Sequence, residues 1–121
     1  LFAGGCGRIL SGSAEQLWRS LLRLMELPDK TQIYCGHDYT VDNLRFALDL
    51  LPHDAAIEAH LNRALERRAK GNATVPTLLG DERLANIFLR SAESSVADAV
   101  GLAGAPAVEV FAALRKRKDR W

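Results

Sequence analysis

Little in this sequence marks a special class of protein. Its 121 residues include two cysteines, four prolines, one methionine and 7% aromatic residues. Two thiols, Cys6 and Cys35, are too few for a disulfide scaffold, and without a CxxC pair a zinc ribbon is unsupported. No HExxH links the three histidines, His37, His53 and His60. No apolar run approaches the roughly 20 residues of a membrane-crossing helix. No basic stretch leads into an apolar one as in a secretory signal. A dominant charge sign is lacking too. Sixteen Lys and Arg face fifteen Asp and Glu, a net charge of +1, which argues against a nucleic-acid partner. What remains is 48% hydrophobic and 26% charged, the balance of a folded domain. A chain of this length buries about two-thirds of its unfolded surface, enough for a core without metal or disulfide staples.

The local pattern predicts a mostly helical α+β protein with a little strand early. Leu1-Phe2 runs into Gly4, Gly5, Gly7 and Gly12, like the tail of a strand entering a tight loop, so the chain reads as a piece of a longer protein. Ser13 with Gln16 predicts a capping box, opening a helix through Leu17, Trp18, Leu21, Leu22, Leu24 and Met25 that ends before Pro28. Residues 31–35 predict a short buried strand centred on Ile33 and Tyr34. Thr40 or Asp42 caps a helix carrying Leu44, Phe46, Ala47, Leu48 and Leu51, which Pro52 stops. Asp54 caps another, with Ile57, Leu61, Ala64 and Leu65 inward and Gly71 beyond its end. Residues 72–79 are expected to be extended or looped around Pro76, and a short helix follows near 80–86. Ser94 or Ser95 caps one more helix, and Pro106 starts a last one with Val108, Val110, Phe111 and Leu114 inward.

The sharpest chemical feature is Tyr34-Cys35-Gly36-His37-Asp38-Tyr39. A His just past a strand projects into a site at the strand's end, where imidazole is a common metal ligand. One His is not a metal site, since zinc usually takes three protein ligands or more, and a loop His bonded to backbone is the plainer reading. Both cysteines are expected to be buried and inert. His53 and His60 are expected at the surface. Arg115-Lys116-Arg117-Lys118 closes the last helix, where cations also suit the helix dipole. Arg115 and Lys118, three apart, share a helix face and can grip one anion together. The run lacks the interleaved aromatics of a single-strand nucleic-acid platform. Gly4-Gly5-Cys6-Gly7-Arg8 is not the GxxxxGK[ST] of a phosphate loop.

In register, these segments resemble glyoxalase II, the hydroxyacylglutathione hydrolase family. The stretches that carry the resemblance are Leu1-Phe2-Ala3-Gly4-Gly5-Cys6-Gly7-Arg8, Leu27-Pro28-Asp29 through to Tyr34-Cys35-Gly36-His37-Asp38-Tyr39-Thr40, Asn43-Leu44-Arg45-Phe46-Ala47, and Phe111-Ala112-Ala113-Leu114-Arg115 through to Lys118-Asp119. Thr74-Val75-Pro76-Thr77 adds a weaker match. The resemblance implies that residues 1–51 are the last part of a metallo-β-lactamase-type αββα sandwich. Residues 52–121 would then be an all-helical substrate-binding domain.

The implied activity is hydrolysis of S-lactoylglutathione-type thioesters to glutathione and a 2-hydroxy acid such as D-lactate, the second half of methylglyoxal detoxification. The implied cofactors are two divalent metal ions, zinc first and iron or manganese as alternatives. Of their ligands only His37 falls on this chain, because the HxHxDH motif, a further His and a bridging Asp belong upstream. Arg8, Tyr39, Arg115 and Lys118 match the family's glutathione contacts. No catalytic group beyond the metal site is implied. The resemblance also implies a cytoplasmic monomer with no membrane partner, and a chain that is inactive by itself. Three positions depart from the pattern. Leu10 stands at a family tyrosine, Ile87 at the proline of Asn-Pro-Phe, and Asp38 at a glutamate. The loss of a hydroxyl at Leu10 leaves glutathione or a related small thiol as the carrier, with glutathione favoured. The alternative is a non-catalytic helical module that binds a small anion or thiol.

Overall fold

A computed structural model describes all of residues 1–121. Ser13 opens α1 (Ala14–Met25) with a full capping box: Ser13 Oγ accepts the Gln16 N–H, and Gln16 Oε1 accepts the Ser13 N–H. The chain then passes through β1 (Gln32–Ile33) to α2 (Thr40–Leu50). Asp54 caps α3 (Ala55–Ala69) by accepting the Ile57 N–H at 3.0 Å, and Gly71 follows its end with φ +75°. β2 (Thr77–Leu78) leads directly into α4 (Leu79–Ala85). α5 (Ser94–Ala99) and α6 (Ala107–Lys118) complete the order. The fold is thus α+β and mostly helical. No helix is long and apolar enough to cross a membrane.

The only sheet is the antiparallel pair of β1 and β2, with Gln32 opposite Leu78 and Ile33 opposite Thr77. The strand expected over 31–35 is therefore shorter, and Tyr34, expected at its buried centre, is 74% exposed. No further strand pairs with β1 to cover that residue. Small shifts elsewhere have local causes. α2 starts at Thr40 because the Asp38 carboxylate, one residue before the cap position, accepts the Thr40 N–H. α5 starts after Glu93, whose side chain is drawn to Arg90 at 2.9 Å instead of capping. Leu65, expected inward, lies on the exposed side of α3.

α1 packs against α6, α2 against α3, and α3 against α4. Between them lies an aromatic core. Phe88 stacks on Phe46 and meets Phe111 edge-on, and Trp18 tilts against Phe111. The three phenylalanines are fully buried, worth about 1.5–3 kcal/mol each by apolar transfer. Arg83 ties α4 to the end of α1 through Asp29 and the carbonyls of Met25 and Leu27. His60, expected at the surface, is buried because its face of α3 turns onto α4. Its Nε2 stands 3.9 Å from Glu82 Oε1. Burial, with the Arg63 charge beside it, lowers the His60 pKa.

Asp54 also pairs with Arg90 at 2.7 Å, both side chains largely covered. Burial pushes its carboxyl up, but the Arg90 and Ile57 bonds outweigh this and hold it below the usual aspartate range. Asp54→Ala is expected to lower stability at pH 7 by about 2 kcal/mol, from a lost cap and a lost charged hydrogen bond. Because the folded-state pKa is depressed, that contribution is complete above about pH 4 and is lost as pH falls through the folded value. Urea unfolding of both proteins should show the gap at pH 7 and its narrowing in acid.

Candidate active-site cleft

The first residues form a tight turn. Phe2 and Gly5 exchange both backbone hydrogen bonds, at 3.0 and 3.1 Å. Gly4 sits at φ +70°, and a Cβ there would stand 2.9 Å from the Leu44 side chain. A Cβ on Gly5 would meet the Asn43 carboxamide at 2.6 Å. The glycines let α2 approach the loop this closely. Side chains from three helices and the segment after α4 then hold the loop's backbone. Asn43 donates to the Ala3 carbonyl, Asn86 to the Gly5 carbonyl, and Arg115 to the Cys6 carbonyl at 2.7 Å. The Gly4 N–H donates to Glu82 Oε2 at 2.8 Å. The loop's amide thus meets a carboxylate of the protein itself, unlike the amides of a phosphate cradle.

Glu82 is fully buried. It also accepts from Asn86 Nδ2 at 2.9 Å and from the Thr77 hydroxyl at 3.1 Å. Burial raises its pKa, and these three donors oppose the rise. Asn86 Oδ1 accepts the Phe88 N–H, which sets Phe88 beneath the Arg115 guanidinium, 5.1 Å from ring centre to Cζ.

Above this frame opens a cleft of about 610 Å³. All five residues singled out from the sequence border it: Arg8, His37, Tyr39, Arg115 and Lys118. They come from the loop, the β1–α2 connection and α6. Arg8 is 70% exposed, and its Nε lies 3.7 Å from Asp119. Tyr39 tilts against Phe2 and stacks on His37, with ring centres 5.2 Å apart. Arg115 is only 5% exposed, and its donors are engaged by the Cys6 carbonyl and by Asp119 at 2.9 Å. Lys118 Nζ points over the Trp121 ring and lies 3.4 Å from the Asp42 carbonyl. Its pKa is lowered by burial, against the pull of Asp42 and with Arg115 and Arg8 adding to the effect.

Three cations thus border the cleft with two carboxylates, Asp42 and Asp119. Cys6, Asn43, Asp119 and Trp121 were not singled out as site residues from the sequence. Cys6, Asn43 and Asp119 lie within the stretches that carry the family resemblance, and Trp121 follows the last of them. Cys6 is buried, with its thiol pKa raised by burial and Arg115 opposing. Cys35 is half-buried, its thiol against the His37 carbonyl.

Asp38 anchors the connection that carries His37. It accepts from the Thr74 hydroxyl at 2.5 Å and the Thr74 N–H at 3.2 Å. Burial raises its pKa, but these bonds and those from Thr40 bring it below the usual range. His37 itself is exposed at the rim. No three His, Cys, Asp or Glu side chains come close enough together to hold a metal ion. The residues present do not make a metal centre among themselves.

Fold and site together define a mostly helical α+β unit whose cation-bordered cleft is closed by both ends of the chain. The chain belongs to the hydroxyacylglutathione hydrolase family, since residues 38–121 match the family model described as hydroxyacylglutathione hydrolase C-terminus. It is 49% identical over 119 residues to a hydroxyacylglutathione hydrolase of Rhodopseudomonas palustris, covering 98% of this chain and 47% of that protein. It is 47% identical over 120 residues to one of Nitrobacter winogradskyi, covering 99% and 47%. A Methylococcus capsulatus protein of the same name is 49% identical over 119 residues, covering 98% and 46%. The chain therefore spans about half the length of the curated relatives it matches.

The frame under the cleft makes a direct prediction. Glu82→Ala strands three buried donors and should cost about 3 kcal/mol or more in urea unfolding, while Glu82→Gln, which keeps one acceptor, should cost less.

Proposed function

We propose that this chain is the glutathione-holding part of a metal-dependent thioester hydrolase. The reaction is hydrolysis of an S-(2-hydroxyacyl)glutathione, such as S-lactoylglutathione, to glutathione and the free hydroxy acid. The observation that carries the reading is the convergence in one cleft of Arg8, His37, Tyr39, Arg115 and Lys118. They span nearly the whole sequence, from Arg8 to Lys118.

The chemistry of the cleft suits glutathione, a tripeptide with two carboxylates. Arg8 and Lys118 offer the accessible positive charge, and a guanidinium can take a carboxylate through two parallel hydrogen bonds. Arg115, buried and ion-paired, adds field and fixes the loop that carries Arg8. Tyr39 lends an aromatic face and a hydroxyl between the cations and His37. When bound, two divalent ions would supply a hydroxide nucleophile at neutral pH and polarise the thioester carbonyl. His37 offers at most one ligand to them, and the other ligands lie outside these residues. This chain's own work is then to bind and orient the thiol half. Two unpaired thiols fit a reducing compartment, and we place the protein in the cytoplasm as a monomer.

The test is S-lactoylglutathione hydrolysis by the full-length protein. Arg8→Ala and Lys118→Ala should each raise KM about three- to tenfold with little change in kcat, as expected for lost substrate-carboxylate contacts. His37→Ala should lower both bound metal and kcat. The 121-residue chain alone should bind glutathione without turning over its thioester. Unchanged KM in both cation variants would overturn the binding assignment. Metal-dependent turnover by the 121 residues alone would overturn the division of labour.

A further inference from the structure

At the edge of the cleft the Lys118 ammonium sits against two aromatic rings. Lys118 carries four rotatable bonds, and one backbone carbonyl, that of Asp42 at 3.4 Å, is its hydrogen-bond partner. Such a side chain is ordinarily free to swing into water. Here its Nζ lies 3.8 Å from the centre of the Trp121 ring and 5.3 Å from that of Phe46. Both distances fall within the reach of a cation–π attraction, for which indole is the best acceptor. The indole is in turn fixed to α2. Its Nε1–H donates to Asp49 Oδ2 at 2.6 Å, and its ring meets the buried Phe46 edge-on. About half of Trp121 remains exposed, on the wall of the cleft.

We propose that Trp121 is a positioning residue of the cleft, whose indole face holds the Lys118 ammonium ready for a carboxylate of the thiol ligand. The inference deepens the glutathione-cleft reading and rests on it. The ring attracts the charge without itself being a counter-ion; the carboxylates of Asp42 and Asp49 act on the ammonium, and neither forms an ion pair with it. A carboxylate in the same place would neutralise it, as Asp119 neutralises Arg115. Ordering the side chain before binding removes part of the entropy loss that binding would otherwise carry.

The test is calorimetric titration of glutathione into the 121-residue chain and its variants, with the proton spectrum of the Lys118 ε-methylene followed in the free proteins. Trp121→Leu should weaken binding about three- to tenfold, and Trp121→Phe should stay within about twofold because a ring face remains. Lys118→Met should weaken binding at least as much as Trp121→Leu, and adding Trp121→Leu to it should change nothing further. In the free chain the Lys118 ε-protons should be shifted upfield by the ring, and Trp121→Leu should abolish the shift. Binding by Trp121→Leu equal to that of the unmodified chain, or an unshifted Lys118, would overturn the positioning role while leaving the glutathione cleft standing. Undiminished binding by Lys118→Met would overturn the cleft reading at Lys118 and this inference with it.

Discussion

The loop from Phe2 to Cys6 is the constraint on which the rest of the site depends. Its carbonyls and one of its amides are held by Asn43, Glu82, Asn86 and Arg115, which reach it from 40 to 109 positions away in sequence. A fully buried carboxylate is costly by itself. Glu82 is tolerated because three donors converge on it, and one of them is the loop's own Gly4 amide. Gly4 and Gly5 are the reciprocal requirement, since side chains there would collide with Leu44 and Asn43. With the loop fixed, Arg8 is delivered to the same cleft as the last helix and the β1–α2 connection.

The charges at the cleft are unequal in kind. Arg115 is consumed by structure: it caps the Cys6 carbonyl, pairs with Asp119 and lies over Phe88. Arg8 and Lys118 remain the cations with reach, one through exposure and the other through its aromatic seat. Two cations on one helix face therefore take different parts. Arg115 sets the frame, and Lys118 faces the cleft. A basic run reads in sequence as uniform, and only the partners of each residue separate these parts.

The legible parts of the fold were those specified within a few residues. The Ser13–Gln16 capping box, the Asp54 cap, Gly71 and the stop near Pro52 follow from adjacent side chains and backbone angles, so helix order and most boundaries could be read directly. The candidate site residues follow from the family resemblance, and the structure adds that they border one cleft. What was not legible depended on contacts far along the chain. His60 has nothing around it in sequence to say that α4 and Glu82 will cover it. Tyr34 looks like the middle of a buried strand until β1 proves to have β2 as its single partner. Glu82 looks like an ordinary acidic residue in the first turn of a short helix. Trp121 follows a charged run, and the ring's role depends on Asp49 and Phe46, more than seventy positions earlier.

The chain spans about half of its relatives, and no three of its His, Cys, Asp or Glu side chains come together to hold a metal ion. Both ends of this chain build one cleft, and the proposed function is that it holds the thiol carrier. The most direct measurement is amide mapping by heteronuclear NMR as glutathione is titrated into the 121-residue chain. The account predicts saturable shifts at Gly7, Arg8, Tyr39, Asn43 and Lys118 and at the Trp121 indole. It predicts none at His53 and Ser95, which line a separate shallow hollow. Saturable shifts confined to that hollow, or no saturable shift in the chain, would contradict it.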